Sequence, residues 1–249
     1  METENLKFRD DFLLSGDGVF HTIQGEGDMV GVPTTFIRLH YCNLNCQWCD
    51  TPYTWDKNDE RFYNEPFHMS IEELEEEIRQ SQTEKGVETF IPHIAFTGGE
   101  PLLQQSQIVK FIRQNIDYHY QIETNGTIEP CEELIEYAER GIVKFNCSPK
   151  MSNSGIDIKR TLRPEVLRIL NSIPTTIFKF VSATEEDIEE IENVFLPYIS
   201  REKVMVMPEG ISEESNNTHL QQMIDIILRK RFRVTPRLQI TLFKNKRKT

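Results

Sequence analysis

Thr34-Thr35-Phe36-Ile37-Arg38-Leu39-His40 is followed almost at once by Cys42-Asn43-Leu44-Asn45-Cys46-Gln47-Trp48-Cys49. The first run is rich in β-branched and aromatic residues and reads as a strand. The second gathers three of the chain's five cysteines at the spacing C-x3-C-x2-C. Thiols this close on one loop suggest a metal centre rather than disulfides. A structural zinc site wants four ligands, and His40 or Cys147 would have to supply the fourth. A cubane iron–sulfur cluster usually takes four cysteines, so three leave one iron open for a ligand. Cys131 and Cys147 stand apart from the loop.

On either side the chain alternates between strand-like and helix-like runs. Ser70-Ile71-Glu72-Glu73 is a capping box that opens a helix to about Thr83. Ile91–Phe96 reads as a strand ending at Thr97-Gly98-Gly99-Glu100-Pro101, and a helix follows over Leu103–Asn115. Strands are expected at Tyr118–Glu123, Ile142–Cys147, Thr176–Val181 and Lys203–Met207. Helices are expected at Cys131–Glu139, Pro164–Asn171, Glu185–Phe195 and Glu213–Lys230, and extended residues from Arg233 to Phe243. Repeated strand-then-helix units argue a parallel sheet. Six or seven such units in roughly 210 residues fit an incomplete (β/α) barrel of about six parallel strands better than a full eightfold one. Barrels of this kind carry function at the C-terminal ends of their strands. The cysteine loop, Gly98-Gly99-Glu100, Glu123-Thr124-Asn125-Gly126, Ser148-Pro149-Lys150 and Pro208-Glu209-Gly210 all share that address.

The 249 residues carry 28 Lys and Arg against 40 Asp and Glu, a formal charge of −12. That acidic balance argues against general nucleic-acid binding. No apolar run approaches the roughly 18–20 residues of a membrane span, and Met1-Glu2-Thr3-Glu4 lacks the apolar core of a signal peptide. A soluble cytoplasmic protein with one domain over 1–249 is expected. From Arg229 onward there are nine basic residues and no acidic one. The last of them, in a tail at about 244–249, read as a solvated tail, with cover for an anionic ligand as the alternative.

The cysteine loop after a first strand, with Trp48 before the third cysteine, resembles the signature of the radical S-adenosylmethionine (SAM) superfamily. Gly98-Gly99-Glu100 is similar to that superfamily's Gly-Gly-Glu motif. Within it, the lead Phe20-His21-Thr22-Ile23-Gln24-Gly25-Glu26-Gly27 resembles the 7-carboxy-7-deazaguanine synthase family. So do Phe36-Ile37-Arg38-Leu39, Trp48-Cys49-Asp50-Thr51, Ile122-Glu123-Thr124-Asn125-Gly126-Thr127 and Ser148-Pro149-Lys150. The likeness runs from about residue 18 to residue 150, with weaker agreement at Lys179-Phe180 and Met207-Pro208.

The resemblance implies a radical SAM barrel in which Cys42, Cys46 and Cys49 hold a 4Fe–4S cluster. Gly98, Gly99, Glu100, Ser148, Pro149, Lys150, Met207, Pro208 and Glu209 would form the SAM site. Ile23, Gln24, Gly25, Glu26, Arg38 and Thr97 would bind substrate, and Thr51 would bind Mg²⁺. The implied substrate is 6-carboxy-5,6,7,8-tetrahydropterin, converted to 7-carboxy-7-deazaguanine with ring contraction and loss of ammonia, on the way to queuosine and other 7-deazapurines. SAM would be cleaved to a 5′-deoxyadenosyl radical and regenerated. An electron donor such as flavodoxin or ferredoxin and a homodimeric assembly are implied as well. The chain departs from the family pattern near its end, where Gln239 and Phe243 replace the usual His and Trp. Two other readings stay open at this point. One is an activase that plants a glycyl radical on a partner protein, and the other is a non-catalytic zinc-binding module.

Overall fold

The structure is a computed structural model that describes Leu6 and residues 10–84, 91–244 and 246–248. The acidic Met1–Glu4 lead lies outside these residues, as do Asn245 and Thr249 of the tail. Among the described residues the strands are β1 (Phe12–Ile23), β2 (Pro33–Leu39), β3 (Phe67–Met69), β4 (His93–Gly98), β5 (His119–Thr124), β6 (Val143–Cys147), β7 (Ile177–Ser182), β8 (Val204–Pro208) and β9 (Arg233–Val234). The helices are α1 (Arg61–Asn64), α2 (Ile71–Glu84), α3 (Gln105–Gln114), α4 (Glu132–Glu139), α5 (Ile158–Thr161), α6 (Pro164–Ser172), α7 (Glu185–Glu190), α8 (Glu213–Lys230) and α9 (Leu238–Phe243). One sheet takes the order β3-β1-β2-β4-β5-β6-β7-β8-β9. From β2 through β4 to β9 every pairing is parallel, while β1 pairs antiparallel with both β2 and β3. Six full parallel strands and the two-residue β9 make the incomplete barrel that the alternation implies.

Parallel sheets covered on both faces usually read as unbroken apolar runs. Here the strands alternate. Ile37, Phe96, Ile122, Phe145, Phe180 and Val206 point outward into one core beneath the helices, all fully buried. The opposite residues point inward, and near the strand ends they are polar: Arg38, Thr97, Glu123, Asn146 and Lys179. Register explains the row, because Arg38 pairs with Thr97 and Glu123 with Asn146 across adjacent strands. Paired positions on neighbouring strands face the same way.

One strand goes beyond the sequence reading, and two expectations are corrected. The lead before Pro33 is a twelve-residue strand, β1, whose alternation is hidden by a register shift between Leu14 and Val19. Arg233–Phe243 is not extended throughout: only Arg233–Val234 is strand, and Leu238–Phe243 is helical. Tertiary contact sets that helix, since Leu238 N donates to Gly25 O at 2.9 Å. The expected helix over Glu185–Phe195 is α-helical only to Glu190, and continues as a π-turn. The capping box that opens α2 is present, with Ser70 N donating to Glu73 and Glu73 N to Ser70 Oγ.

The segment after β1 crosses the inner face of the sheet. Gln24 reaches β5, Asp28 pairs with Lys144 on β6, and Glu26 pairs with Lys179 on β7. Gly27 N then donates to Thr235 Oγ1 at 2.7 Å, beyond β9. This crossing floors the space enclosed by the curved sheet and joins its first strand to its last segment.

Candidate active site

Above that floor, at the C-terminal ends of the strands, lies a cavity of about 300 Å³. It is lined by Cys42, Cys46, Cys49 and Thr51 from the loop after β2, by Gly98 at the end of β4 and by Gly99 just after it. Ser148, Lys150, Met207 and Glu209 line it from the later strand ends, and Ile23, Gln24, Gly25, Glu26, Arg38 and Thr97 from the floor and inner face. Of the residues singled out in the sequence, Glu100, Pro149 and Pro208 do not line the wall.

Glu100 is fully buried just behind it. Its carboxylate accepts from Leu102 N at 3.0 Å, Thr124 Oγ1 at 2.8 Å and Asn125 N at 2.7 Å. Burial raises its pKa, and the backbone donors offset part of that rise. In this arrangement Glu100 ties the β4 and β5 ends together. The two glycines before it have a steric reason as well. A Cβ on Gly98, which has φ of +110°, would lie 2.3 Å from Leu39 O. On Gly99 it would lie 1.7 Å from Tyr41 O. Gly99 N and Glu100 N donate to these same carbonyls at 3.0 and 2.7 Å. The Gly-Gly-Glu segment thus clamps the root of the cysteine loop, and only glycine permits the approach.

The three loop cysteines share the cavity wall, whereas fully buried Cys147 and nearly buried His40 do not reach it. His40 packs instead against Tyr41 and Phe62. Among the described residues no three His, Cys, Asp or Glu side chains converge on one ion. A mononuclear zinc site needs such convergence. A multi-iron cluster does not, because each thiolate binds its own iron. Burial pushes the Cys42 thiol up to about 12 and raises Cys46. Burial thus favours the neutral thiols, and a cationic centre would offset that cost by taking the thiolates. The donor set fits a cluster with one open iron. Thr51 Oγ1 stands 3.6 Å from Cys49 Sγ, so its hydroxyl faces the region beside the cluster loop, as a hard-ion ligand there requires.

Much of the floor is already partnered. Gln24 Nε2 donates to Gln121 Oε1 at 2.7 Å and Glu123 Oε1 at 3.1 Å, and its Oε1 accepts from Glu26 N at 3.0 Å. Thr97 Oγ1 donates to Glu123 Oε2 at 2.7 Å. Glu26 takes Lys179, Arg237 Nε at 3.2 Å and Gln239 Nε2 at 2.6 Å. Burial alone would raise the Glu26 pKa, but Lys179 and Arg237 overturn that and hold it at about 2. Burial alone would likewise depress Lys179, yet Glu26 and Glu123 keep it above its ordinary range. A Cβ at Gly25 would meet the Gln239 backbone N at 2.9 Å as well as its side chain, so glycine lets α9 dock closely on this turn.

At the mouth, Arg38 Nε lies 2.9 Å from Asp17 Oδ2, with its guanidinium over the Phe20 ring. The same Asp17 accepts from Tyr53 OH and pairs with Arg247 Nε at 2.6 Å. Arg247 also grips Glu65 at 2.8 Å and lies over Tyr53. Lys244, Lys246 and Lys248 line the same opening. The solvated-tail reading is therefore corrected at Arg247, which ion pairs hold across the mouth, while Lys244, Lys246 and Lys248 are exposed. Asp17, Asn146, Lys179, Arg237 and Arg247 were not read from the sequence as site residues, whereas Glu123 belongs to a strand-end motif that was. The available signal was polar residues two apart inside apolar strands, as in Gln121 and Glu123 or Lys144 and Asn146.

Comparison with known proteins agrees with this geometry. The Radical SAM superfamily model matches residues 36–191. The chain is 33% identical over 232 residues to the 7-carboxy-7-deazaguanine synthase of Pyrobaculum aerophilum, covering 92% of this chain and 94% of that one. It is 32% identical over 206 residues to that of Aquifex aeolicus, covering 82% and 81%. The crystal structure of QueE from Escherichia coli superposes with a TM-score of 0.65 at 22% identity, covering 96% of this chain and all of that one, which shows the shared fold. On the family match and the extent of these identities, the chain belongs to the radical SAM superfamily and, within it, to the 7-carboxy-7-deazaguanine synthases.

Proposed function

We propose that this enzyme converts 6-carboxy-5,6,7,8-tetrahydropterin to 7-carboxy-7-deazaguanine and ammonia, with a 4Fe–4S cluster, SAM and Mg²⁺ as its cofactors. The observation that carries the reading is one small cavity with three cysteines on one wall and a row of polar strand-end residues on the other. When bound, the cluster and SAM supply a one-electron cleavage that yields a hydrogen-abstracting carbon radical. Cys42, Cys46 and Cys49 would hold the cluster. Gly98, Gly99, Ser148, Lys150, Met207 and Glu209 would shape the SAM side of the cavity, with Glu100, Pro149 and Pro208 supporting them from behind.

Arg38 would receive the substrate carboxylate, since a planar guanidinium matches a carboxylate's two oxygens. Its Nε lies 2.9 Å from Asp17 Oδ2 as a charge contact without hydrogen-bond alignment, which holds the guanidinium at the cavity while its remaining donors stay available. Gln24, with all three of its contacts made inside the floor, positions Glu123 and Glu26 rather than spending donors on substrate. Glu26, together with the backbone of Ile23 and Gly25, would border the bicyclic ring, and Thr97 would do so from β4. Thr51 would contribute its hydroxyl to Mg²⁺, whose other ligands would be substrate or water oxygens. The polar row beside Arg38 suits a small anionic heterocycle, which favours this reading over a glycyl-radical activase.

A flavodoxin- or ferredoxin-like protein would supply the electron, and the enzyme would act as a single-domain homodimer in the cytoplasm. Among the described residues no helix is long and apolar enough to cross a membrane. The test is anaerobic reconstitution followed by mass spectrometry of the mixture after addition of 6-carboxytetrahydropterin, SAM, Mg²⁺ and reductant. Formation of 7-carboxy-7-deazaguanine supports the reading, and pterin left intact beside an enzyme that cleaves SAM opposes it.

A further inference from the structure

Asn146 lies in the polar row on the inner face, between Glu123 on β5 and the Ile177–Lys179 stretch of β7. It is 1% exposed and lines the cavity. Both side-chain atoms, Oδ1 and Nδ2, are buried without a hydrogen-bond partner. Its neighbours are spoken for: Glu123 by Gln24 and Thr97, and Lys179 by Glu26. The loop beneath offers nothing to it, because Gly27 has no side chain and gives its own N–H to Thr235. A buried amide with neither donor nor acceptor satisfied is costly in a folded protein. An aliphatic residue would fill the position at lower cost if nothing were to bind there.

We propose that Asn146 is a specificity-determining residue that reads the ring-amide edge of the substrate. This rests on the pterin reading above. A carboxamide presents one donor and one acceptor side by side. The pyrimidinone ring of a pterin presents the complementary pair, a ring N–H beside a C=O, and so does the 7-deazaguanine product. Arg38 stands at the far end of the row, near the mouth, where the carboxylate would sit. Two anchors of different chemistry, one at each end of the ring system, orient the bicycle in one sense only. Glu26 is engaged by Lys179, Arg237 and Gln239, so Asn146 is the side chain of the row with unspent capacity in both directions.

The test compares wild type with Asn146→Asp and Asn146→Ala in the reconstituted enzyme. Asn146→Asp keeps the shape but replaces the donor with a second acceptor, which faces the substrate carbonyl. Three quantities are read: KM and kcat for 6-carboxytetrahydropterin, the rate of SAM cleavage without substrate, and calorimetric binding of the stable product, 7-carboxy-7-deazaguanine. The expected result is a rise in KM and a weakening of product binding of roughly tenfold or more in both variants, greater for Asp. SAM cleavage without substrate should stay within about twofold of wild type. Thermal melting of each variant checks folding, and Asn146→Ser replaces either that melts early. Product binding and KM within about twofold of wild type in a folded variant overturn the proposal. So does an equal loss of substrate-free SAM cleavage, which would place Asn146 on the cofactor. If wild type itself makes no 7-carboxy-7-deazaguanine, the activity reading fails, and this proposal with it. Turnover by wild type with an unmoved variant overturns this proposal alone.

Discussion

Arg38 Nε and Asp17 Oδ2 meet at 2.9 Å, and Asp17, almost fully buried, also holds Arg247 from the far end of the chain. One carboxylate thus pairs by charge with a strand-end guanidinium that faces the cavity and with Arg247 from the segment at its mouth. Arg38→Lys keeps the charge but loses the planar fork. It is expected to weaken pterin binding on the order of tenfold while changing SAM binding little. Parallel titrations with the two ligands check this, and equal losses would make Arg38 a purely structural partner of Asp17.

Arg247→Ala removes three contacts of the docked tail at once. The side chain is 40% exposed, and half-exposed ion pairs are worth roughly 1 kcal/mol or less. Global stability should therefore change little, and the tail should come free. Limited proteolysis is expected to clip the variant after Lys244 or Lys246 several times faster, with a melting temperature within a few degrees of wild type. Clipping at the wild-type rate would mean that these ion pairs do not hold the segment down.

Glu26 gives a pH prediction with a definite sign. Its carboxylate sits at about 2 in the folded chain against an ordinary value of 4.5. A depressed carboxylate stabilises the fold fully above its unfolded value and loses that contribution as pH falls from about 4.5 towards 2. Glu26→Gln should be less stable than wild type at neutral pH, by on the order of 1–3 kcal/mol, because it strands Lys179. The gap between the two proteins should close as pH drops through that window. Urea unfolding at a series of pH values measures it, and a gap independent of pH would refute the ion-pair account.

How much of this was open to sequence reading depended on whether local pattern or distant contact decided each element. α8 runs over Glu213–Lys230 as its pattern requires, and the parallel strands fall within about two residues of expectation. β1 was hidden because Gly16 and Gly18 interrupt its alternation where the register shifts. α9 was hidden because Ile240, Thr241 and Phe243 favour strands, and only contact with the Gly25 turn decides for helix. The cysteines, Arg38 and Thr51 were legible because short motifs carry them. Asp17, Asn146, Lys179 and Arg247 were not, since each reaches the cavity through strand register or a partner far away in sequence.

The cluster assignment separates two classes of cysteine. Cys42→Ala, Cys46→Ala and Cys49→Ala should each lose the brown iron–sulfur absorption and SAM cleavage. Cys131→Ala and Cys147→Ala should keep both, although Cys147→Ala is expected to lower stability by roughly 1–2 kcal/mol through the gap left beside Gly126. Retained cluster absorption in Cys46→Ala would contradict the assignment.

Thr51→Ala should keep the cluster and SAM binding but lose the response of turnover to Mg²⁺. Small misplacement of a reacting group can cost about a hundredfold in rate, so the loss should be of that order in kcat. Product formation against Mg²⁺ concentration in metal-stripped buffer measures it. A variant that responds to Mg²⁺ as wild type does would leave Thr51 as a loop hydroxyl and no more.

The most direct measurement of the central claim is the stoichiometry of the reconstituted reaction. The enzyme, supplied with 6-carboxytetrahydropterin, SAM, Mg²⁺ and reductant under anaerobic conditions, should form one 7-carboxy-7-deazaguanine and release one ammonia for each pterin consumed, and do neither when reductant is withheld. Pterin recovered unchanged, without ammonia, beside a cluster competent to cleave SAM would contradict it.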